Sequence, residues 1–302
     1  MPGLPRRRFL AASVALAGRR ALVPAAGLAA TLLSGGAGRP KAPTASSGPA
    51  LALVLGGGAA RGFAHVGVIK VLESRGISPD LVVGTSAGSF VGTLYASGIA
   101  GFELQRLALT LDESTFSDWT LPGRGLFKGE AVAQYINSQV RGQPLERLRR
   151  RMAIVATDLG SGEPVVFERG DAGTAVRASS AVPGVFSPVR IGDRDFVDGG
   201  LTHPVPVAIA RRLGARKVVA VDISDRPRSR EVGGLIDVLL QTFTIMGHHL
   251  ASFELAQADV VIRPNTAHLR GTDFAARNVA ILEGERAATA ALPDILRLLA
   301  SP

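Results

Sequence analysis

The sequence predicts an α/β domain of three layers. Three observations lead there. Short apolar runs recur at 51–55, 81–83, 152–156, 217–221 and 260–262, and stretches with helical spacing separate them. Twice a glycine-rich joint links an apolar run to a helix, at 56–62 and at 84–88. The chain has 302 residues, 46% of them hydrophobic, and no linker interrupts residues 50–300, so one substantial core is expected.

Charge and cysteine content exclude several classes. The net charge of +9 is concentrated at the start. Arg6, Arg7, Arg8, Arg19, Arg20, Arg39 and Lys41 face no acid within residues 1–41, which leaves +2 for the remainder. A near-neutral body argues against nucleic acid as a partner. With no cysteine, disulfides, thiol catalysis and cysteine-zinc sites are ruled out.

Residues 1–35 read as an export signal. Arg6-Arg7-Arg8-Phe9-Leu10 fits a twin-arginine pattern, and an apolar run follows until Arg19 and Arg20 break it. Leu33-Ser34-Gly35-Gly36 is shaped like a lipoprotein processing box, with glycine in place of the cysteine that would be lipidated. The expected location is exported, periplasmic or peripheral to a membrane, and cytoplasmic if the signal does not function. Residues 36–50, rich in Gly, Pro, Ala and Ser, read as a flexible linker into a domain at 51–302.

Leu51 to Leu55 is the expected first strand. Gly56-Gly57-Gly58-Ala59-Ala60-Arg61-Gly62 leads from it into a helix at 63–75. The second strand, Leu81-Val82-Val83, runs into Gly84-Thr85-Ser86-Ala87-Gly88 and helices at 87–98 and 101–111. Residues 112–130 are irregular, with Phe116, Trp119 and Phe127, and read either as a flap or as a loop pinned by its aromatics. A helix is expected at 129–140. Arg147, Arg149, Arg150 and Arg151 then suggest a solvated helix end. Strands at 152–156 and 164–167, a helix at 172–180 and a strand at 195–197 lead to Asp198-Gly199-Gly200. Helices at 204–213, 233–256 and 275–299 and strands at 217–221 and 260–262 complete the chain.

The two glycine joints carry the chemistry. Unpaired N–H groups at a helix start suit an anion. A dinucleotide fingerprint fails at 56–62, because Arg61 stands where its third glycine is required, and no Gly-Lys-Ser/Thr follows for a P-loop. The remaining role is an oxyanion hole. Ser86, on a strand–turn–helix joint, is the candidate nucleophile. One crossover of about thirty residues would set the two joints side by side on parallel strands.

A serine needs a proton acceptor. His203 tempts most, His248, His249 and His268 are further candidates, and His65 reads as structural. Asp198 could itself be the base if partial burial raised its pKa.

In order and spacing, Gly-Gly-Gly-x-x-Arg-Gly at 56–62, Gly-Thr-Ser-Ala-Gly at 84–88, Ala-Ser-x-x-x-Pro-x-x-Phe at 178–186 and Asp-Gly-Gly at 198–200 resemble the patatin-like phospholipases. The resemblance is to bacterial members similar to the neuropathy target esterase catalytic domain, and it covers about residues 50–300. It implies a Ser-Asp dyad acyl hydrolase, with Ser86 matching the nucleophile and Asp198 the base. Gly56, Gly57, Gly58 and Arg61 match the oxyanion element, the arginine supporting the loop or its charge. Gly84, Gly88, Gly199 and Gly200 are motif glycines. A mostly parallel central sheet with helices on both faces is implied, and no metal or cofactor. The implied substrate is a lipid or acyl ester, of phospholipase A or lysophospholipase type, met at a membrane surface. A Ser-His-Asp carboxylesterase and a non-catalytic lipid-binding regulatory protein are the alternatives.

Overall fold

The computed structural model describes residues 48, 50–112, 118, 125–224, 227, 233–271 and 273–301. The export-signal reading of 1–35 and nearly all of the linker fall outside them, as do Phe116 and Trp119 of the flap reading.

Among the described residues, eight strands form one mixed, mostly parallel sheet. They are β1 (Leu51–Leu55), β2 (Leu81–Thr85), β3 (Arg151–Asp158), β4 (Pro164–Phe167), β5 (Val189–Ile191), β6 (Arg194–Asp198), β7 (Lys217–Val221) and β8 (Val260–Ile262). The pairings run β5-β6-β3-β2-β1-β7-β8, and β4 pairs separately with β3. The helices are α1 (Phe63–Ser74), α2 (Ala87–Ala96), α3 (Gly101–Thr110), α4 (Glu130–Gln139), α5 (Ala172–Ser179), α6 (Val207–Arg212), α7 (Leu235–Leu255) and α8 (Arg277–Ala300).

The strands read as continuous apolar runs because both faces of the sheet are covered. Their residues alternate between two cores. Leu53, Leu55, Val82, Ile154 and Val219 pack with Ile69, Leu94, Ile136 and Ile295 on one face. Ala52, Val54, Val83, Val155 and Ala220 pack with Val207, Ile209 and Leu255 on the other.

The short β5 was not foreseen. It forms an edge hairpin with β6 through Gly192 (φ 62°), and its apolar–polar–apolar alternation runs for only three residues, too few to mark a strand. α6 starts at Val207 rather than 204, because Pro204 and Pro206 lie before it and Pro206 adopts ψ 56°, outside the helical region. The arginine run at 147–151 is not a helix end. It leads from a 3-10 turn into β3, and two of its arginines are paired with the body. Arg150 stacks 4.2 Å from the Tyr95 ring and bonds the Tyr95 carbonyl at 3.0 Å, and Arg151 pairs with Glu168 at 3.1 Å.

The register around β3 decides where the chemistry sits. Val155 pairs with Thr85 of β2 and with Val166 of β4. Ala156 pairs with Val165 of β4 and with Asp198 of β6. A strand residue has two edges, so β4 occupies one edge of β3, and β2 and β6 share the other. β2 runs up that edge and stops at Thr85, while antiparallel β6 runs down it and stops at Asp198. The strands meet end to end, one β3 residue apart.

Candidate active site

Ser86 leaves the sheet where Asp198 arrives. It stands between β2 and α2 with φ 52° and ψ −121°, a region side-chain-bearing residues seldom occupy. Such strain is characteristic of a nucleophile elbow, where a serine is lifted above the sheet. The glycines around it are required by close approach. A Cβ on Gly84 would lie 2.5 Å from the Gly88 carbonyl oxygen, and one on Gly88 would lie 2.0 Å from that of Leu55. Only hydrogen at both positions lets α2 start so close to β1 and β2.

Asp198 is buried at the end of β6. Its Oδ1 accepts the Gly200 N–H at 2.7 Å, and its amide donates to the Ala181 carbonyl at 3.0 Å. Its Oδ2 is buried with no hydrogen-bond partner among the described residues. Burial pushes the carboxyl up to about 6, against the opposing pull of the Ser86 hydroxyl and the Gly200 amide. Thr157 Oγ1 donates to the Asp198 carbonyl at 3.0 Å. Gly199 is needed beside it, because a Cβ there would lie 2.1 Å from the Val155 carbonyl oxygen.

The glycine loop lies alongside, since β1 and β2 are parallel neighbours. A Cβ on Gly57 would be 3.3 Å from that of Ser86. The loop's amides divide into two sets. Gly56 N donates to Val221 O at 3.1 Å and Gly57 N to Pro204 O at 2.9 Å, so both are engaged in holding the loop. The amides of Gly58 and Ala59 have no acceptor among the described residues. Ala59 has φ 50°, unusual for alanine. Arg61 is buried, borders the cavity described below, and donates its amide to Gly58 O at 3.2 Å.

The histidines are placed elsewhere. His65 is fully buried beneath the loop, with Nε2 2.8 Å from the Gly56 carbonyl. A carbonyl only accepts, so the proton is on Nε2, and burial pulls the ring down to about 4, leaving it neutral. His203 pairs with Glu254 at 3.4 Å, and burial followed by the Arg212 charge lowers its pKa. His248 and His249 lie on α7, and His268 borders the cavity. None of the five is hydrogen-bonded to Ser86 among the described residues.

Ser86 opens onto a cavity of about 1030 Å³. Its wall is largely apolar, including Val91, Leu94, Leu104, Phe127, Tyr135 and Phe186. Phe127, the described aromatic of the 112–130 stretch, packs on Phe186 with ring centroids 5.7 Å apart. No metal-binding cluster of His, Asp or Glu occurs among the described residues.

Ser179, within the 178–186 motif, has a role that its sequence position alone does not give. The residue is fully buried, and its Oγ accepts the Ser86 N–H at 2.9 Å while donating to the Val155 carbonyl at 2.6 Å. Its position just before Pro183 and Phe186 in that motif was the available signal.

A strained serine on a strand–turn–helix joint beside an apolar cavity places the chain among α/β proteins with a mostly parallel, helix-flanked sheet. Within that class, the chain belongs to the patatin-like phospholipase family: the Patatin family model, described as Patatin-like phospholipase, matches residues 53–211. It is 36% identical over 182 residues to an NTE family protein of Mycobacterium tuberculosis, covering 59% of this chain and 50% of that one. It is 35% identical over 189 residues to human patatin-like phospholipase domain-containing protein 6, covering 60% of this chain and 14% of that one. The chain thus aligns with half or less of the length of these relatives. VipD from Legionella pneumophila has a similar fold, with TM-score 0.56 at 14% identity over 82% of this chain and 67% of that one. ExoU of Pseudomonas aeruginosa, in its complex with SpcU, gives TM-score 0.50 at 15% identity over 84% and 54%.

Proposed function

We propose that this protein is a serine acyl hydrolase of lipid esters, of phospholipase A or lysophospholipase type, working through Ser86 and Asp198. One observation carries the reading. The buried carboxyl of Asp198, at the end of β6, stands one β3 residue from the end of β2, where strained Ser86 leaves the sheet, and burial pushes that carboxyl up to about 6. A base near that pKa is matched to neutral solution, as an ordinary aspartate is not.

Asp198 takes the Ser86 proton as Oγ attacks the ester carbonyl carbon. Negative charge gathers on the carbonyl oxygen, and the unengaged amides of Gly58 and Ala59 are the donors that hold it. Gly56, Gly57 and Arg61 shape the loop that presents them. The tetrahedral intermediate collapses, Asp198 returns the proton to the leaving alcohol, and an acyl-Ser86 ester remains. Water, deprotonated by Asp198, then adds to the acyl ester, and Asp198 returns that proton to Ser86 Oγ as the C–Oγ bond breaks and the fatty acid leaves. The apolar cavity beside Ser86 supports an acyl chain as the group held during these steps.

Contact with a lipid surface is part of the proposal, and α7 supports it. Leu235, Val238, Leu239, Ile245, Met246 and Phe253 of that helix are exposed, and Leu235–Leu255 contains neither Lys nor Arg. Asp237, Leu240 and Gln241 of the same helix border the cavity that holds Ser86. An ester leaving a bilayer would thus meet an apolar rim before reaching the serine. No helix among the described residues is long and apolar enough to cross a membrane. Export directed by residues 1–35 belongs to the same proposal.

The test is a panel of phospholipids, lysophospholipids and p-nitrophenyl esters, comparing wild type with Ser86→Ala. Hydrolysis is expected only in the wild type, with both proteins melting alike. Turnover that survives Ser86→Ala would overturn the reading.

A further inference from the structure

Where β2 and β6 both end, the edge of β3 loses a rung. In an unbroken ladder, the next amide and carbonyl would be satisfied by a neighbouring strand. Here the chain turns away at Ser86 with φ 52°, and the Ser86 N–H and the Val155 carbonyl are left at the break. A single hydroxyl fills it. Ser179 Oγ, at the end of α5 and fully buried, accepts from Ser86 N at 2.9 Å and donates to Val155 O at 2.6 Å. Two residues later, the Ala181 carbonyl accepts the Asp198 amide at 3.0 Å. One three-residue segment therefore grips the backbone of both groups on which the proposed chemistry depends.

We propose that Ser179 is a positioning residue for the acyl-transfer reaction, its hydroxyl replacing the missing rung and holding the strained Ser86 backbone so that its side chain faces Asp198. The inference rests on the acyl-hydrolase reading above. Three features of the site support it. The Ser86 amide is committed to Ser179, so it is withdrawn from oxyanion binding, and that task falls to the 58–59 amides. The nucleophile's φ and ψ are costly for a residue with a side chain, so an outside contact must hold them. Burial of Ser179 means no water can take over when the hydroxyl is removed.

The experiment uses the full chain as wild type, Ser179→Ala and Ser179→Cys. Three quantities are measured: the rate of fluorophosphonate labelling per folded molecule, kcat and KM on a short p-nitrophenyl ester, and the pH dependence of kcat/KM. Ser179→Ala should label about 10- to 100-fold more slowly, the loss expected when a buried N–H goes unpaired. kcat should fall by a similar factor, with KM within about twofold, because the hydroxyl does not touch substrate. The acidic limb of the profile should move up, since the Ser86 hydroxyl that holds the Asp198 pKa down would be misplaced. Ser179→Cys keeps the shape with a slightly larger atom and weakens both hydrogen bonds, so it should fall between. Labelling of Ser179→Ala at the wild-type rate would overturn the inference, even if its melting temperature dropped. Should Ser179→Ala not fold, wild-type labelling of Ser179→Cys would overturn it. A wild type that neither labels nor hydrolyses would sink the acyl-hydrolase reading, and this inference with it. A wild type that labels beside unaffected Ser179 variants would sink this inference alone.

Discussion

Replacing Asp198 by asparagine should cripple hydrolysis and at the same time stabilise the fold. The carboxyl titrates at about 6 in the folded protein, against a reference of 3.8. That rise corresponds to roughly 3 kcal/mol. The sign follows from proton binding. Between about pH 4 and pH 6 the folded state holds the proton that the unfolded state has released, so stability falls as pH rises through that window. Above it the whole penalty is in place, and below it there is none. Asparagine cannot ionise and keeps an Oδ1 for the Gly200 amide. Asp198→Asn should therefore be more stable by up to about 3 kcal/mol at pH 8, and by about half of that at pH 5. Urea unfolding of both proteins at the two pH values measures it. Equal stabilities at pH 8, or a gain independent of pH, would refute the reasoning, because the buried ionised carboxylate would then not be the cause. Hydrolysis should fall by a factor of about 10² to 10⁴ in the same variant, and wild-type kcat/KM should rise through about pH 6 as the base ionises.

Two further predictions concern packing and surface. A Cβ on Gly284 would lie 2.0 Å from the Ala64 carbonyl oxygen, so Gly284→Ala should push α8 off α1 and cost about 3 kcal/mol, read as a lower urea midpoint. An unchanged midpoint would show that the helices have room. On α7, Ile245→Glu with Met246→Glu should weaken sedimentation with phosphatidylcholine vesicles by about tenfold, leaving hydrolysis of a soluble p-nitrophenyl ester unchanged. Undiminished vesicle binding would remove α7 from the lipid-facing surface.

Local pattern made much of the architecture legible. Strands buried on both faces leave continuous apolar runs, and five such runs appear among the described strands. The glycines at 84 and 88 were readable because a helix can approach a strand so closely only without side chains. The arginine run at 147–151 misled, since a cation's partner is not local. Arg150 finds the Tyr95 ring and carbonyl, more than fifty positions away in sequence. β5 escaped because the alternation of Val189, Arg190 and Ile191 is too short to stand out.

By itself, the sequence determined the α/β class, the serine joint, the glycine loop and the aspartate beside two glycines, because each is written in contiguous residues whose local geometry follows from their side chains. Only the tertiary structure decided how they meet. The shared edge of β3 brings Asp198 level with Ser86, since register between distant strands is set by the whole sheet and not by either segment. Burial then decided the carboxyl's pKa, and long-range backbone bonds decided which loop amides stay free. The position of Ser179 came from the same cause. A hydroxyl becomes a rung only where two strands happen to end.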